Sequence, residues 1–282
     1  MKNVKTLALA ATAVAAMSSS AFAADRSDLY ATDYKWMQFN AMYSVDELPS
    51  AGASGHNYLE MEFGGRKGIV DLYGYVDVFN LGNENAGDKA SGSGASKMFM
   101  KFNPRFSLDA ITGKDLSFGP VQELYFSTLF NWGGGAIGSD VNATFWGLGA
   151  DVNVPWLGKT GMNLYAHYDL NAKEWNGYQF SANWFKPFYF FENKSFLSFQ
   201  GYVDWQFGAD EAYWPTEENG PLVKGKSTNG GAAFFGLYWH SDKYALGYGL
   251  KGYKDVYLLT DKGATGLETT GWGHYFTATY KF

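Results

Sequence analysis

The chain ends on the stretch Tyr275-Phe276-Thr277-Ala278-Thr279-Tyr280-Lys281-Phe282. Polar and apolar side chains alternate along it, and the last residue is aromatic. Successive side chains of a β-strand point to opposite faces, so Phe276, Ala278, Tyr280 and Phe282 share one face. The pattern predicts a strand that is apolar on one side. Two folds can end this way: a membrane β-barrel with its closing strand, or a soluble β-sandwich.

The opposite end of the chain favours the barrel. Lys2 and Lys5 precede an apolar run over 7–17, and Ala21-Phe22-Ala23 forms an A-x-A cleavage site. The run is shorter than the about 20 apolar residues that a membrane-spanning helix needs, so residues 1–23 are predicted to be a signal peptide. We therefore expect an exported chain whose residues 24–282 form a single domain in the outer membrane of a Gram-negative bacterium.

The composition agrees with this expectation. Aromatic residues make up 19% of the chain, which holds 35 Gly, 7 Pro and no Cys. Without cysteine, disulfides cannot stabilise the exported protein. Abundant aromatics and glycine in short alternating segments are typical of a barrel that meets lipid outside and water inside. The formal net charge of −6 gives no support to nucleic-acid binding.

Alternation and turn residues predict an all-β, transmembrane, 12-stranded antiparallel up-and-down β-barrel with both termini periplasmic. The predicted periplasmic turns are short or moderate, as at Gly65-Arg66-Lys67-Gly68, whereas the outward loops are long and include a low-complexity stretch at 86–96. This asymmetry is characteristic of outer-membrane barrels. The strands are predicted over 33–45, 57–64, 69–79, 96–108, 118–132, 141–154, 161–170, 175–187, 195–207, 228–239, 244–258 and 271–282.

The strand over 69–79 shows which side chains face the lumen. One face carries Asp71, Tyr73, Tyr75 and Asp77, and the other is apolar. A carboxylate facing lipid is costly, so the acidic and aromatic face is predicted to point inward. The same test predicts that further side chains on other strands face the lumen, among them Lys101, Arg105, Glu123, Tyr125, His167, Asp204 and Lys251.

Two interpretations of this polar lumen remain open. Inward charges can pair with one another and plug a small barrel. Alternatively, twelve strands leave a passage too wide to fill completely and narrower than that of a 16-stranded porin. In such a passage, aromatic rings can stack on planar solutes while charged neighbours hydrogen-bond their polar edges.

Several segments resemble the nucleoside-specific channel-forming (Tsx-like) family of outer-membrane proteins, and are most similar to its OmpK-type members. The resemblance lies in Asn57-Tyr58-Leu59-Glu60, Asp71-Leu72-Tyr73-Gly74-Tyr75-Val76-Asp77, Pro104-Arg105-Phe106-Ser107-Leu108-Asp109, Asp115-Leu116-Ser117-Phe118-Gly119-Pro120, Glu174-Trp175-Asn176-Gly177-Tyr178, Asp204-Trp205 and Thr270-Gly271-Trp272-Gly273. The chain departs from the family in its first outward loop, Tyr43-Ser44-Val45-Asp46-Glu47-Leu48-Pro49, which is acidic and lacks the family's basic cluster.

The resemblance implies a monomeric 12-stranded channel for passive, substrate-selective diffusion of small polar solutes, with nucleosides as the leading candidates. The predicted inward-facing positions, together with the segments that resemble the family, suggest aromatic residues that stack on bases and charged residues that hydrogen-bond sugar and base edges. The predicted substrate-binding residues are Asp71, Tyr73, Tyr75, Asp77, Arg105, Glu123, Tyr125, Asp204, Lys251 and Trp272.

Other chemistry is not supported. Of the four histidines, His56 is expected in a loop and His240 in a periplasmic turn, and no Ser–His or acid–His arrangement predicts an enzyme. Neither a metal site nor a cofactor is predicted. The expected partners are outer-membrane lipid and lipopolysaccharide, the barrel-assembly machinery through the strand that ends at Phe282, and a nucleoside. The alternative function is a barrel with a general small-solute pore whose surface loops serve as a bacteriophage or partner receptor.

Overall fold

The computed structural model describes residues 33–82, 88, 96–134, 141–218 and 220–282. The predicted signal peptide, 1–23, and most of the low-complexity stretch at 86–96 lie outside the described residues. Twelve strands close into one antiparallel barrel, and two short strands pair separately as a hairpin. The predicted 12-stranded barrel is therefore confirmed. Within the described ranges, no helix combines the length and the apolarity needed to cross a membrane.

The strands are numbered in chain order. The barrel strands are β1 Tyr34–Val45, β2 Gly55–Lys67, β3 Val70–Phe79, β4 Met98–Ser107, β5 Val121–Trp132, β6 Asn142–Val154, β7 Gly158–Asp169, β8 Glu174–Phe190, β9 Phe196–Phe207, β12 Asn229–His240, β13 Tyr244–Lys254 and β14 Gly271–Lys281, and the hairpin strands are β10 Ala212–Pro215 and β11 Leu222–Lys226. A short helix, α1 Leu108–Thr112, follows β4, and a 3₁₀ turn at Val256–Leu258 follows β13.

Each barrel strand pairs with its neighbours along the chain, and β9 pairs with β12 across the β10–β11 hairpin. The first and last strands complete the ring, with Gln38 opposite Lys281 and Val45 opposite His274. At the end of the chain, the backbone N–H of Phe282 donates to the carbonyl of Met37 at 3.1 Å. The Phe282 ring meets Phe39 edge-on, with ring centroids 5.6 Å apart.

The connections differ between the two ends of the barrel. At one end, which we call the short-turn end, most strands are joined by tight turns, and both barrel termini lie there. The tightest turn joins β2 to β3, where Gly68 adopts a left-handed conformation with φ of 55°, which glycine tolerates best. At the other end, the long-loop end, most connections are long: they cover 46–54, 80–97, 133–141, 208–228 and 255–270, whereas 170–173 is a four-residue turn. At the short-turn end, the turn predicted at 65–68 is wrong in its bounds, because β2 continues to Lys67 and β3 begins at Val70.

Side chains alternate between an apolar outer face and a packed interior. On the outer face, Leu148, Leu164 and Leu237 are each more than half exposed. The interior holds Tyr75, Tyr202, Phe234 and Tyr275 in one cluster, and many polar side chains are buried around it. This alternation is the dyad pattern of a barrel whose outer surface meets lipid.

Candidate functional site

The lumen near the short-turn end is filled by an ion-pair network. The Arg105 guanidinium on β4 donates to Asp71 at 2.9 Å and to Asp151 at 3.0 Å. It also lies 4.1 Å from the ring centre of Tyr125, whose hydroxyl donates to Asp151 at 2.9 Å. The Lys159 amino group adds a contact to Asp151 at 2.7 Å. Two bases therefore neutralise two buried carboxylates, which is what makes their burial tolerable.

A second arginine, Arg66, lies in the same region of the lumen. Its guanidinium donates to both Glu123 oxygens, at 2.5 and 2.6 Å, and the Ser107 hydroxyl donates to the same carboxylate. This bidentate geometry is the strongest form of arginine–carboxylate pairing. The sequence prediction placed Arg66 in a turn, whereas the structure places it inside the barrel on the extended β2.

Carboxylates gather near the middle of the lumen. Glu60 lies opposite Asp77 in the β2–β3 register, and Asn40 donates to Glu60 at 2.6 Å. Glu62 accepts hydrogen bonds from Gln38 at 2.6 Å and from the Tyr73 hydroxyl at 3.0 Å. Amide and hydroxyl donors thus contact Glu60 and Glu62, in contrast to the guanidinium groups used at the short-turn end.

Lys251 is buried among tyrosine rings elsewhere in the lumen. Its amino group lies 4.9 Å from the ring centre of Tyr253, 5.6 Å from that of Tyr275 and 5.7 Å from that of Tyr202. Ring faces attract a cation when it is desolvated. The Tyr253 and Tyr275 hydroxyls hydrogen-bond each other, so the rings around the amino group are held in place.

A cavity of about 330 Å³ opens in the long-loop half of the lumen. One wall carries a stacked pair, Phe145 and His167, with ring centroids 4.7 Å apart and planes 13° apart. The pair forms because these residues face each other across β6 and β7. The other rings that line the cavity belong to Phe99, Tyr202, Trp214 and Tyr257.

Polar groups surround these rings. The Lys101 amino group contacts Asp204 at 3.0 Å, and Ser181 donates to the same carboxylate at 2.6 Å. Lys226 lies 3.6 Å from Asp169. Side-chain amides of Asn131, Asn142, Asn171, Gln179 and Gln206 complete the lining. The cavity therefore combines flat apolar faces with both hydrogen-bond donors and acceptors, as ligand sites do.

The predicted site residues separate into groups. Asp71, Arg105, Glu123 and Tyr125 belong to the ion-pair network, Tyr73, Tyr75 and Asp77 lie near the middle of the lumen, Lys251 lies among tyrosines, and Asp204 lines the cavity. The luminal position predicted for Trp272 is wrong. Its side chain is 58% exposed and shares the outer face of β14 with Phe276, because residues four apart on a strand point the same way.

Several residues of the lumen were missed as site candidates. Alternate positions of β2 carry the charged residues Glu60, Glu62 and Arg66. The test that turned Asp71 toward the lumen, which is the cost of a charge facing lipid, would therefore also have found them. Phe145 and Trp214 gave no such signal, since Phe145 is followed directly by a second aromatic, Trp146, on a mostly apolar strand, and Trp214 lies in a long loop.

Two histidine positions also require correction. His56 lies within β2 rather than in a loop, and its Nε2 is 3.1 Å from a Glu47 oxygen. His240 is the last residue of β12, where its Nε2 lies 2.8 Å from the Ser198 hydroxyl. In the part of the chain that the structure describes, no group of three or more His, Cys, Asp or Glu side chains is arranged to hold a metal ion.

Comparisons with known proteins agree with this architecture. A family model described as nucleoside-specific channel-forming protein, Tsx, matches residues 31–282. Outer membrane protein OmpK of Vibrio parahaemolyticus is 59% identical over 277 residues, which cover 97% of this chain and 98% of the relative. The nucleoside-specific channel-forming protein Tsx of Klebsiella aerogenes is 31% identical over 299 residues, which cover 99% of each chain.

Proposed function

The chain belongs to the Tsx family of nucleoside-specific channel-forming proteins, and from that membership we propose that nucleosides are the solutes it conducts. The protein is an outer-membrane β-barrel of the channel-forming type. Its nucleoside selectivity is our proposal, since the relatives whose names specify nucleosides are about 31% identical to it.

The cavity in the long-loop half is the observation that carries this proposal. A nucleoside joins a flat, weakly polar base to a sugar that bears hydroxyl groups. The Phe145–His167 stack and the Tyr202 ring offer surfaces for the base, because aromatic rings stack on planar solutes. Asp204 and Gln179 offer polar groups for the sugar hydroxyls.

Passive conduction requires that each site bind weakly enough to release the solute. Farther along the lumen, the partly buried Tyr73 ring is proposed as a secondary contact, whereas Tyr75 and Lys251 are fully buried and are proposed to shape the passage. The carboxylates of the short-turn network are already paired with arginine. We therefore propose that this network shapes the passage and that solute recognition takes place in the cavity.

The test is single-channel conductance in a planar bilayer, titrated with adenosine, thymidine and ribose. Nucleosides that occupy the cavity should reduce the ion current at concentrations where ribose has no effect. An ion current that adenosine, thymidine and ribose leave equally unchanged would contradict nucleoside selectivity and would retain only the outer-membrane channel.

A second candidate function is that of a receptor at the long-loop end. The β10–β11 hairpin exposes Tyr213 by 50% and Leu222 by 67%. Exposed apolar side chains on a loop can contact a protein partner, and a bacteriophage is the partner proposed here. Adsorption of phage to cells that display the Leu222→Asp variant, compared with wild-type cells, tests this function independently of conduction.

A further inference from the structure

The β10–β11 hairpin turns one aromatic residue toward the cavity and a neighbouring one away from it. Tyr213 is half exposed, whereas Trp214 is partly buried and lines the cavity. Adjacent strand residues point to opposite faces, so the hairpin places the indole on its inner side. A loop outside the barrel wall therefore contributes an aromatic surface to the site.

Gly225 fixes the position of that indole. The register passes from the Ala212–Lys226 pair to the Tyr213–Lys224 pair and leaves Gly225 as the extra residue of a bulge. A Cβ atom at Gly225 would lie 2.2 Å from Cε3 of Trp214, which is too close for any real contact. The indole thus lies directly on the glycine backbone, where any larger residue would displace it.

The hairpin is attached to the rest of the long-loop end. The backbone N–H of Thr260 donates to the Gly225 carbonyl at 3.0 Å, and that of Ala264 donates to the Lys224 carbonyl at 2.9 Å. The Lys226 amino group reaches Asp169 at the end of β7. These contacts join β11 to two other parts of the rim. They hold the strand on which the Trp214 indole lies and so keep the indole over the cavity.

We infer that Trp214 is a specificity-determining residue of the channel, whose indole forms the roof of the cavity and stacks on the planar ring of the entering solute. The inference rests on the proposed function and extends it by assigning base recognition to a surface loop. An indole face stacks on any flat heteroaromatic ring. Trp214 therefore selects for solutes that carry such a ring.

The experiment compares Trp214→Leu with Tyr213→Leu in the planar-bilayer assay. Both variants remove one aromatic ring from the same hairpin, and they differ in the face that they alter. The adenosine concentration that halves the current should rise about tenfold in Trp214→Leu, the usual effect of losing one base–aromatic stack, and stay unchanged in Tyr213→Leu. Gly225→Ala keeps the indole but displaces it, so it should reproduce the loss and serves as a second test if Trp214→Leu does not fold.

The outcomes separate the two proposals. Adenosine block that is equal in the wild type, Trp214→Leu and Gly225→Ala overturns the role of Trp214 and leaves the nucleoside channel standing. Equal weakening in Trp214→Leu and Tyr213→Leu also overturns it, because the effect would then come from the hairpin as a whole. A wild-type channel that adenosine does not block contradicts the proposed function, and the role of Trp214 fails with it.

Discussion

The two halves of the lumen are built by the same alternating strands and yet are filled differently. Near the short turns, Arg105 pairs with Asp71 on the adjacent β3 and with Asp151 on β6, and Arg66 on β2 pairs with Glu123 on β5. Near the long loops, the Lys101–Asp204 pair reaches across the lumen from β4 to β9, and a cavity of about 330 Å³ remains beside it. An inward charge therefore does not by itself identify a solute site. What matters is whether the ion pairs around it fill the lumen or leave a cavity beside them.

The largest expected effect is on the short-turn half. Arg105→Met should lower the free energy of unfolding by about 4 kcal/mol, because Asp71 and Asp151 would remain buried beside a missing cation. Urea unfolding of the barrel in lipid vesicles measures the loss. The matched variant in the other half is Lys101→Met, whose partner carboxylate on Asp204 is 22% exposed, against 8% for Asp71 and 2% for Asp151. Equal destabilisation by the two variants would remove the distinction between the halves.

The next effect concerns the boundary between the halves. Tyr75 is fully buried, and its ring packs against Tyr73 and Phe99, with centroids 6.2 and 6.1 Å apart. Tyr75→Ala should cost about 3 kcal/mol of stability and raise the single-channel conductance, because the passage below the cavity widens. Tyr75→Phe keeps the ring and should conduct like the wild type. An unchanged conductance in Tyr75→Ala would place the narrowest point of the path elsewhere.

A smaller effect is expected on the long-loop half itself. Lys101→Met should change stability by about 1 kcal/mol or less, since the Lys101–Asp204 pair is partly solvated. The cavity would keep the Asp204 charge without its counterion, so the channel should become more cation-selective. The reversal potential across a KCl gradient reports this change. Lys243→Met, at an exposed turn of the opposite end, is the control and should leave the potential unaltered.

The smallest effect depends on pH and lies in the β13–β14 loop. Burial raises the pKa of the Asp255 carboxyl, but hydrogen bonds from the Ser227 hydroxyl and the Asp261 backbone N–H outweigh it, so the pKa is below its ordinary value. At pH values above the ordinary carboxyl pKa, the ionised Asp255 side chain therefore stabilises the loop. This contribution is lost as the pH falls through the lowered pKa of Asp255.

Amide hydrogen exchange of residues 255–270 measures this contribution. The protection factors should decrease between about pH 5 and the lowered pKa in the wild type, whereas Asp255→Asn should show lower protection with little pH dependence. A wild-type loop whose protection is constant through this range would show that Asp255 does not hold it.

The barrel could be predicted from the sequence because each strand carries its own signal. A lipid-facing strand must be apolar on alternate residues, and twelve such segments appeared within a few residues of their observed bounds. The same rule predicted that the side chains of Asp71, Arg105 and Asp204 face the lumen. Trp272 is the exception: it lies in a segment that resembles the family, but alternation along β14 puts it on the outer face with Phe276.

The cavity could not be predicted in the same way. Its volume depends on contacts between segments far apart in the chain, such as Lys101 with Asp204 and the β10–β11 hairpin with the β13–β14 loop. The Trp214 indole lies against Gly225, the extra residue of a bulge, and a loop sequence does not reveal a bulge. Alternation determines which face a strand residue takes, whereas loop packing determines how much space remains.

The pairing of β1 with β14 has a consequence for the order in which the protein can mature. The partner of the first strand is the last one to be synthesised, so every intermediate before completion has two unpaired edges. Closing the ring joins residues separated by almost the whole described chain, and such long-range contacts form late and slowly. The newly made chain must therefore be kept from aggregating until its final strand arrives, and a chain that stops before that strand has no way to close.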